Sequence, residues 1–310
     1  MAIRNETSIT QFILLGLSSN SDLQTVIFVQ FFVMYLLALA GNLLIMITIY
    51  VDSHLHSPMY FLLSNLSFID LSFATVTVPK FLINFLLQSK TISFSDCMTQ
   101  IFFLHLLGGT ECFHLSLMAY DRNPLRYTII MNRQACLLLV VSTWAAGLIH
   151  ALVQALPSTQ LPFCGSNEID HFFCDVLPIS LLACSSTSIS EMAALINSGT
   201  IGLSCFLVVS ISYTYIISTV LKIRSSEGRR KTFSTCASHL LVVTLFFGPT
   251  VFIYMRPSVK FTGDKMVSVF YAIVTPVLNP CIYTLRNKKV KSAMKRLGGR
   301  TVSLLEIQKN

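Results

Sequence analysis

The sequence predicts an all-α membrane protein, a bundle of seven transmembrane helices with its N-terminus extracellular. Three observations predict this. The chain of 310 residues is 53% hydrophobic and only 12% charged, about half the charged fraction of a soluble domain. Its apolar residues form seven long runs, each sufficient for the roughly 20 helical residues that cross a ~30 Å hydrocarbon core. Its cationic residues lie mostly on one side of that layout.

The seven runs differ in how many polar groups they contain. Four contain no Asp, Glu, Lys or Arg, namely Val26–Tyr50, Ala135–Leu156, Ala193–Leu221 and Met266–Leu285. A fifth, Thr232–Met255, is interrupted only by His239. The other two hold ionisable groups: Asp70 and Lys80 lie in Pro58–Leu87, and Glu111 lies in Cys97–Ala119. No cationic segment and short apolar stretch with a cleavage site precede the first run, so it is interpreted as a retained span.

One polytopic domain is therefore expected to occupy residues 1–310. Residues 1–22 form an N-terminal segment, residues 23–285 the helix bundle, and residues 286–310 a tail that begins as a short amphipathic helix.

An odd number of spans puts the termini on opposite faces, and the distribution of cations decides their orientation. Most of the 22 Lys and Arg residues lie between spans three and four, between five and six, and after seven. Because the cation-rich side is cytoplasmic, the N-terminus is expected outside. Asn5 in Asn5-Glu6-Thr7 is then a glycosylation candidate. The asymmetry also accounts for the net charge of +8, and no basic module predicts a nucleic-acid partner.

Four of the nine cysteines are expected on the extracellular side, where disulfides persist. Cys97 opens the third span, and Cys164, Cys174 and Cys184 lie between the fourth and fifth. Four cysteines allow three pairings, and the sequence alone leaves these open. His171, Cys174 and Asp175 also lie close enough along the chain to suggest a metal site. The alternative is a disulfide-bonded loop in which the histidine is incidental.

Six motifs together resemble the odorant receptors, a family of rhodopsin-like receptors coupled to G proteins. The motifs occur in the family's order and cover nearly the whole chain: Gly41-Asn42, Pro58-Met59-Tyr60-Phe61-Leu62, Met118-Ala119-Tyr120-Asp121-Arg122, Ser212-Tyr213, Lys231 to Leu240, and Pro276 to Tyr283. The resemblance implies a receptor of the tetrapod type (class II) that binds a volatile odorant and activates a stimulatory, olfactory-type G protein and adenylyl cyclase. It also implies the disulfides Cys97–Cys174 and Cys164–Cys184.

The resemblance places the ligand within the bundle. In the third span His105, Gly108, Gly109 and Cys112 recur at spacings of three and four, which puts them on one helix face. That face lines either a ligand pocket or a close helix contact through small residues, and the resemblance favours the pocket. By the same resemblance, the residues facing it from the fifth, sixth and seventh spans are Asn197, Ile201, Phe247, Thr250, Val251, Tyr254 and Ala272. The set is mostly apolar and carries no charge, which suits a small, weakly polar molecule held by burial and one hydrogen bond.

Asp70 and Glu111 are ionisable groups at membrane depth, where a charge costs roughly 2.5–3.5 kcal/mol even on permissive scales. The resemblance places the two acids near each other, with Asn42 and Asn279 close by. A bound cation, with Na⁺ as the candidate, would offset their repulsion. The alternatives are one protonated acid or a purely structural hydrogen-bond network. The sequence predicts no other cofactor or metal.

The resemblance places Asp121, Arg122, Tyr213, His239 and Tyr283 at the cytoplasmic mouth, where they would couple to the G protein. The alternative for Asp121-Arg122 is an ordinary ion pair at the membrane surface. The sequence departs from the family here. Odorant receptors continue Asp-Arg with Tyr-Val-Ala-Ile-Cys, whereas Arg122 is followed directly by Asn123-Pro124-Leu125-Arg126-Tyr127. The missing residues are worth ~7.5 Å of helix, and Pro124 disfavours helical geometry in the residue before it. The third helix is therefore expected to stop near Arg122, which weakens coupling.

Other classes of membrane protein fit less well. No nucleophile–base arrangement predicts an enzyme, and the seventh span has no lysine for a retinal Schiff base. No internal repeat predicts a transporter. The remaining alternative is a membrane protein with a receptor fold that does not signal. The expected location is the plasma membrane, in the cilia of olfactory sensory neurons.

Overall fold

The computed structural model describes residues 9–121, 132–163, 166–184, 188–222, 225–254 and 263–307. Within these residues, seven helices are long and apolar enough to cross a membrane. We label the helices of the bundle α1 (Ser21–Val51), α2 (Pro58–Leu86), α3 (Phe94–Asp121), α4 (Arg133–Thr159), α5 (Ser188–Leu221), α6 (Ser226–Tyr254) and α7. Helix α7 has three consecutive parts, Asp264–Val269, the π-helical Phe270–Val274, and Thr275–Arg286. Helix α8 (Lys288–Ile307) follows it in the tail, where a helix was predicted, and its 20 residues make it longer than the short helix expected.

Several observed helices extend beyond the predicted apolar runs, and polar side chains cap the N-termini of α1 and α4. The Asn20 side chain accepts hydrogen bonds from the first backbone N–H groups of α1, which begins five residues before the apolar run. Asn132 caps α4 in the same way, accepting from Ala135 N at 2.7 Å. Two further helical segments lie outside the bundle, a 3₁₀ turn at Ser53–Leu55 and a short helix at Val176–Ser180.

Helix α3 occupies the centre of the bundle. In its most apolar stretch 67% of the residues are buried, against 28% in α1 and in α5. Helices α1 and α5 instead direct large apolar side chains outward, among them Phe32, Leu36 and Phe206, which are about half exposed. A ring of exposed apolar side chains on all the peripheral helices would aggregate in water, and lipid is the environment that fits it.

Three short strands cover the end of the bundle that carries the N-terminus, which we call the N-terminal face. Strand β1 (Gln11–Leu14) lies between β2 (Thr91–Ser93), to which it is antiparallel, and β3 (Glu168–Ile169), to which it is parallel. Phe12 of β1 is fully buried, with its ring 5.3 Å from that of Phe163. Strand β1 therefore packs on the loops of this face as part of the fold.

Prolines in α6 and α7 free backbone carbonyls that neighbouring helices then use. A proline at position i cannot donate to the carbonyl at i−4. Pro276 thus frees the carbonyl of Ala272, which accepts from Thr77 Oγ1 at 3.3 Å. Pro280 frees the carbonyl of Pro276, which accepts from Asn42 Nδ2 at 3.0 Å.

In the same way, Pro249 of α6 frees the carbonyl of Leu245, and Thr275 Oγ1 of α7 lies 3.4 Å from it.

Gly41 allows α1 to lie close to α7, because a Cβ at this position would lie 2.9 Å from Pro280 Cβ. The Gly41-Asn42 motif therefore has a packing role in which each residue contacts the proline-broken part of α7.

Candidate ligand-binding cavity

A cavity of about 60 Å³ lies among α2, α3, α4, α5, α6 and α7. A single water molecule needs about 10–15 Å³, so the cavity admits a small organic molecule. Nine of the eleven residues predicted to face a ligand line it: His105, Gly108, Gly109, Cys112, Ile201, Phe247, Thr250, Val251 and Tyr254. Seven further lining residues were not predicted from the sequence: Phe73, Leu104, His150, Ser198, Gly202, Phe246 and Tyr271.

Asn197 and Ala272 lie behind the cavity wall and not among the lining residues. Asn197 hydrogen-bonds to the ring of His150 with 3.0 Å between Nδ2 and Nδ1, so it supports a lining residue. Ala272 is fully buried against α2, where its carbonyl accepts from Thr77. Because the π-helical turn Phe270–Val274 alters the helical phase of α7, the residue that lines the cavity is the preceding one, Tyr271.

The small residues of α3 serve both the pocket and helix packing. A Cβ on Gly108 would meet only Phe73 Cε2, at 3.6 Å, so this glycine opens onto the cavity. A Cβ on Gly109 would lie 2.8 Å from His150 Cδ2, so that glycine makes room for the imidazole of α4. Gly147 of α4 in turn faces Thr110, whose Oγ1 would lie 2.1 Å from an added Cβ. The pocket and packing interpretations therefore apply to adjacent residues of one face.

A buried carboxylate from the loop between α4 and α5 stands beside the cavity, although the predicted ligand set contained no charge. Asp175 is 2% exposed. Its Oδ1 lies 3.1 Å from His105 Nε2, and its Oδ2 accepts from Tyr254 OH at 2.6 Å. Burial raises the pKa of the Asp175 carboxyl, but the hydrogen bonds and charge of His105 and the hydrogen bond of Tyr254 outweigh burial and hold the pKa below its usual value. The carboxylate therefore links α3 to α6 above the cavity.

His171 lies in the same loop and contacts α7. Its Nδ1 accepts from Phe173 N at 3.3 Å, which leaves the proton on Nε2, 3.2 Å from Ser268 Oγ. Burial lowers the pKa of His171 from 6.5 to about 4, although the charge of Asp175 acts in the opposite direction. This histidine is therefore neutral at physiological pH. Lys265 of α7 forms an ion pair with Asp170 of the loop, so the loop is joined to α7 at two points.

Cys97 and Cys174 form a disulfide with 5.5 Å between their Cα atoms, as the family resemblance implied. The suggested metal site at His171, Cys174 and Asp175 is thereby contradicted, since a disulfide sulfur is not the thiolate ligand that a metal requires. No group of three metal-ligating side chains occurs among the described residues. Cys184 is also disulfide-bonded, while its implied partner Cys164, like the glycosylation candidate Asn5, lies outside the described residues.

The two membrane acids lie together below the cavity, each about 1% exposed. Asn279 Nδ2 lies 3.0 Å from both carboxylate oxygens of Asp70. Asn42 donates to the carbonyls of Ala38 and Pro276. Three buried oxygens have no hydrogen-bond partner among the described residues, Oδ1 of Asn42, Oε1 of Glu111 and Oδ1 of Asn279. The cluster therefore has an excess of acceptors, all of them hard oxygen ligands.

Four of the residues predicted to couple to a G protein lie at the end opposite the N-terminal face: Asp121, Tyr213, His239 and Tyr283. Tyr213 OH lies 2.8 Å from His239 Nδ1, and the two rings stack with 5.8 Å between centroids. Asp121 is the last residue of α3 and is buried, and Tyr283 in α7 is buried too. Arg122 and the departure at Asn123-Pro124-Leu125-Arg126-Tyr127 lie outside the described residues.

Comparison with known proteins supports the family resemblance of the sequence. A family profile described as "Olfactory receptor" matches residues 31–299. The chain is 52% identical over 307 residues to mouse olfactory receptor 4E2, covering 97% of this chain and 99% of the relative. It is 50% identical over 302 residues to human olfactory receptor 4S2, covering 96% and 97%. Squid rhodopsin superposes with a TM-score of 0.68 at 13% identity, over 93% of this chain and 88% of that one, which supports the fold alone.

Proposed function

The chain belongs to the olfactory receptor family, and we propose that it binds a small, mostly apolar volatile ligand in the cavity beside α3. It is a multi-pass membrane protein and a receptor, not an enzyme. The proposal depends on one observation above all, that nine residues expected to face a ligand line one cavity. Apolar side chains make up most of its wall, so burial provides most of the binding free energy.

Gly108 offers the sharpest test of the site. The space in front of it is open to the cavity, so a phenyl ring at this position would occupy the ligand's volume. Gly108→Phe should abolish odorant-induced thermal stabilisation of the purified receptor and any odorant response in cells. Gly248→Phe is the matched control, because Gly248 is exposed on α6 and a Cβ there meets no atom within 4 Å.

Both variants need comparable surface expression for the comparison to count. A cyclic-AMP reporter screened against a broad odorant panel would identify the ligand in the unmodified receptor. If Gly108→Phe binds the identified odorant as tightly as the unmodified receptor does, the ligand binds elsewhere and this site is wrong.

The proposed signalling route uses a stimulatory olfactory-type heterotrimeric G protein and adenylyl cyclase, in the plasma membrane of olfactory cilia. The N-terminal face would be extracellular, because cations are concentrated at the opposite end. Lys288, Lys289, Lys291 and Lys295 all lie in α8 at that end. The G protein would meet the bundle there, near Asp121 and the Tyr213–His239 pair, with Arg122 supplying the cation that the family uses.

The shortened segment after Arg122 makes weak coupling part of this proposal. A ligand and a G protein that favour the same active state each strengthen the binding of the other. Removing part of the cytoplasmic contact with the G protein therefore weakens this mutual stabilisation. Inserting Tyr-Val-Ala-Ile-Cys after Arg122 should raise agonist-driven cyclic AMP at equal surface level, whereas a polar insertion of equal length should not. An unmodified chain that already signals as strongly as the repaired one would contradict weak coupling and exclude the alternative of a silent receptor.

A sodium ion between Asp70 and Glu111 completes the proposed resting state. The residues fit such an ion, because the cluster contains two acids and three buried oxygens without a hydrogen-bond donor among the described residues. Asn42, Asp70, Glu111 and Asn279 would hold the cation, and its charge would offset the repulsion between the two carboxylates. Its role would be to stabilise one receptor conformation.

A further inference from the structure

Most polar groups that line the cavity are already engaged by the protein. His105 and Tyr254 are held by Asp175. Thr250 Oγ1 donates to the carbonyl of Phe246 at 2.7 Å, and Tyr271 OH lies 3.3 Å from Ser268 Oγ. Apart from the weakly polar thiol of Cys112 and the ring Nδ1 of His105, the described lining then retains two hydrogen-bonding side chains that Asp175 does not hold, His150 of α4 and Ser198 of α5. They form one wall, which we call the α4–α5 wall.

The hydrogen bond behind His150 fixes which of its ring nitrogens carries the proton. Asn197 presents its amide nitrogen to His150 Nδ1 at 3.0 Å. An amide nitrogen can only donate, so Nδ1 is the acceptor and the neutral ring carries its proton on Nε2. In the described residues Nε2 has no hydrogen-bond partner, although the side chain is only 7% exposed. His150 is thus a buried donor whose N–H is unused.

Packing holds that donor at the cavity. The Cδ2 edge of the imidazole rests in the space left by Gly109, where a Cβ would come within 2.8 Å. The ring of His105 lies on another side, with 5.5 Å between centroids and a 65° angle between planes. Because Nε2 is at the end of the ring farthest from its own backbone, these contacts direct it into the bundle and onto the cavity that His150 lines.

Ser198 repeats the arrangement one helix away. Its Oγ accepts from Gln154 Nε2 at 2.8 Å, and its own O–H remains to donate. Asn197 and Gln154 therefore perform the same task, since each donates from behind to a lining residue and leaves that residue's proton facing the cavity. The α4–α5 wall presents two donors, and the opposite side presents apolar surface and Asp175-bound groups.

We propose that the α4–α5 wall selects ligands with an unhindered carbonyl oxygen, such as ketones, aldehydes and esters. The carbonyl would accept from His150 Nε2–H and Ser198 Oγ–H, since its two lone pairs can take two donors and it has no proton of its own to satisfy. A protonated amine presents only donors to this wall, and a carboxylate adds a second negative charge near Asp175. This assignment deepens the proposed function and rests on the same cavity.

The test uses linear methyl ketones of graded chain length and their methylidene isosteres, in which C=CH₂ replaces C=O at the same shape. Thermal unfolding of the purified full-length receptor against probe concentration gives apparent Kd values without requiring G-protein coupling. The best ketone should bind about tenfold tighter than its isostere. His150→Phe should remove that preference while leaving isostere binding within about threefold, and His150→Gln, which keeps an N–H donor, should restore most of it.

His114→Phe is the matched control, because His114 is a buried histidine of α3 outside the cavity lining. It should change the ketone and isostere affinities equally. If the two probes bind the unmodified receptor equally, or if His150→Phe weakens both alike, the carbonyl assignment is overturned while the cavity stands. If no probe of any chain length stabilises the receptor, or if Gly108→Phe leaves their binding unchanged, the proposed site and this assignment both fail.

Discussion

Two buried acidic sites lie within one bundle, and they differ in how their oxygens are satisfied. Asp175 at the N-terminal face accepts from His105 Nε2, Tyr254 OH and Val176 N. Glu111 in mid-membrane has an oxygen with no partner among the described residues, and only Asn279 donates to neighbouring Asp70. Equal burial therefore has different consequences. The first carboxylate completes a protein network, whereas the second pair has unused coordination capacity.

This difference indicates separate roles for the two sites. A carboxylate whose donors come from α3, α6 and its own loop joins those elements, and losing it leaves buried donors without acceptors. An acid pair short of donors has the coordination capacity that the proposed sodium ion would use, and its stability should then depend on which cations the solution supplies. The first site should respond to mutation, and the second to the ionic composition of the buffer.

The largest effect is expected at Asp175. Asp175→Leu leaves His105 and Tyr254 without their acceptor, and removing one partner from a buried ionic network costs about 3–5 kcal/mol. Thermal unfolding of the purified receptor should show a large drop in Tm. Asp175→Asn keeps one acceptor oxygen and should therefore lower Tm by less. Equal Tm values for the Leu and Asn variants would contradict the idea that this carboxylate joins α3 to α6.

His171 should make the same face sensitive to acid. Its pKa is about 4 in the folded protein against 6.5 when exposed, so only the unfolded state binds a proton as pH falls between these values. Stability should therefore decrease from about pH 6.5 to pH 4, by up to about 3 kcal/mol, and change no further from this group below pH 4.

The measurement is Tm against pH for the unmodified protein and for His171→Phe, which has no group to titrate. The Tm of His171→Phe minus the Tm of the unmodified protein should increase as pH falls. Asp175, Lys265 and Asp170 interact electrostatically with His171, and all three remain in both proteins, so their own titration contributes to both profiles. Parallel pH profiles would show that the histidine is not buried in its neutral form.

Sodium should stabilise the mid-membrane pair but not the site at the N-terminal face. At about ten times its Kd, a bound cation adds about 1.4 kcal/mol to stability. Replacing choline chloride with sodium chloride at constant ionic strength should therefore raise the Tm of the unmodified receptor. Glu111→Gln should abolish that increase, whereas Asp175→Asn should keep it. An increase that persists in Glu111→Gln would place the sodium elsewhere.

The smallest effect is expected where an acid is paired without deep burial. Asp52 forms an ion pair with Arg296 of α8, whose side chain is 53% exposed. The hydrogen bond from Arg296 lowers the pKa of Asp52 to about 2, so its contribution is present above pH 3.8 and lost as pH falls through about 2. Water screens such pairs, and Arg296→Gln should lower Tm by at most about 1–2 °C near neutral pH. A larger drop would show that α8 depends on this contact.

The sequence by itself determined the layout of the fold. Seven apolar runs and the motifs within them predicted every spanning helix, the tail helix, the Cys97–Cys174 disulfide through the family resemblance, and nine of the residues around the cavity. The helices and the cavity-facing side of α3 follow from local patterns, because the spacing of side chains along one helix directly gives the face on which they lie. The disulfide and the cavity residues of α5 and α6 came from the family resemblance. Family membership followed from the same local patterns.

Only the tertiary structure decided how those faces meet. Gly108 opens the cavity and Gly109 accommodates His150, a distinction that depends on the rotation of α4 against α3. The loop brings Asp175 beside His105, 70 positions away, and the prolines of α7 offer carbonyls to α1 and α2. Such contacts join residues far apart in the chain, and neither their distance nor the identity of the partner is contained in helical spacing. The donors of the α4–α5 wall belong to this second group, because their direction is set by Asn197 and Gln154 behind them.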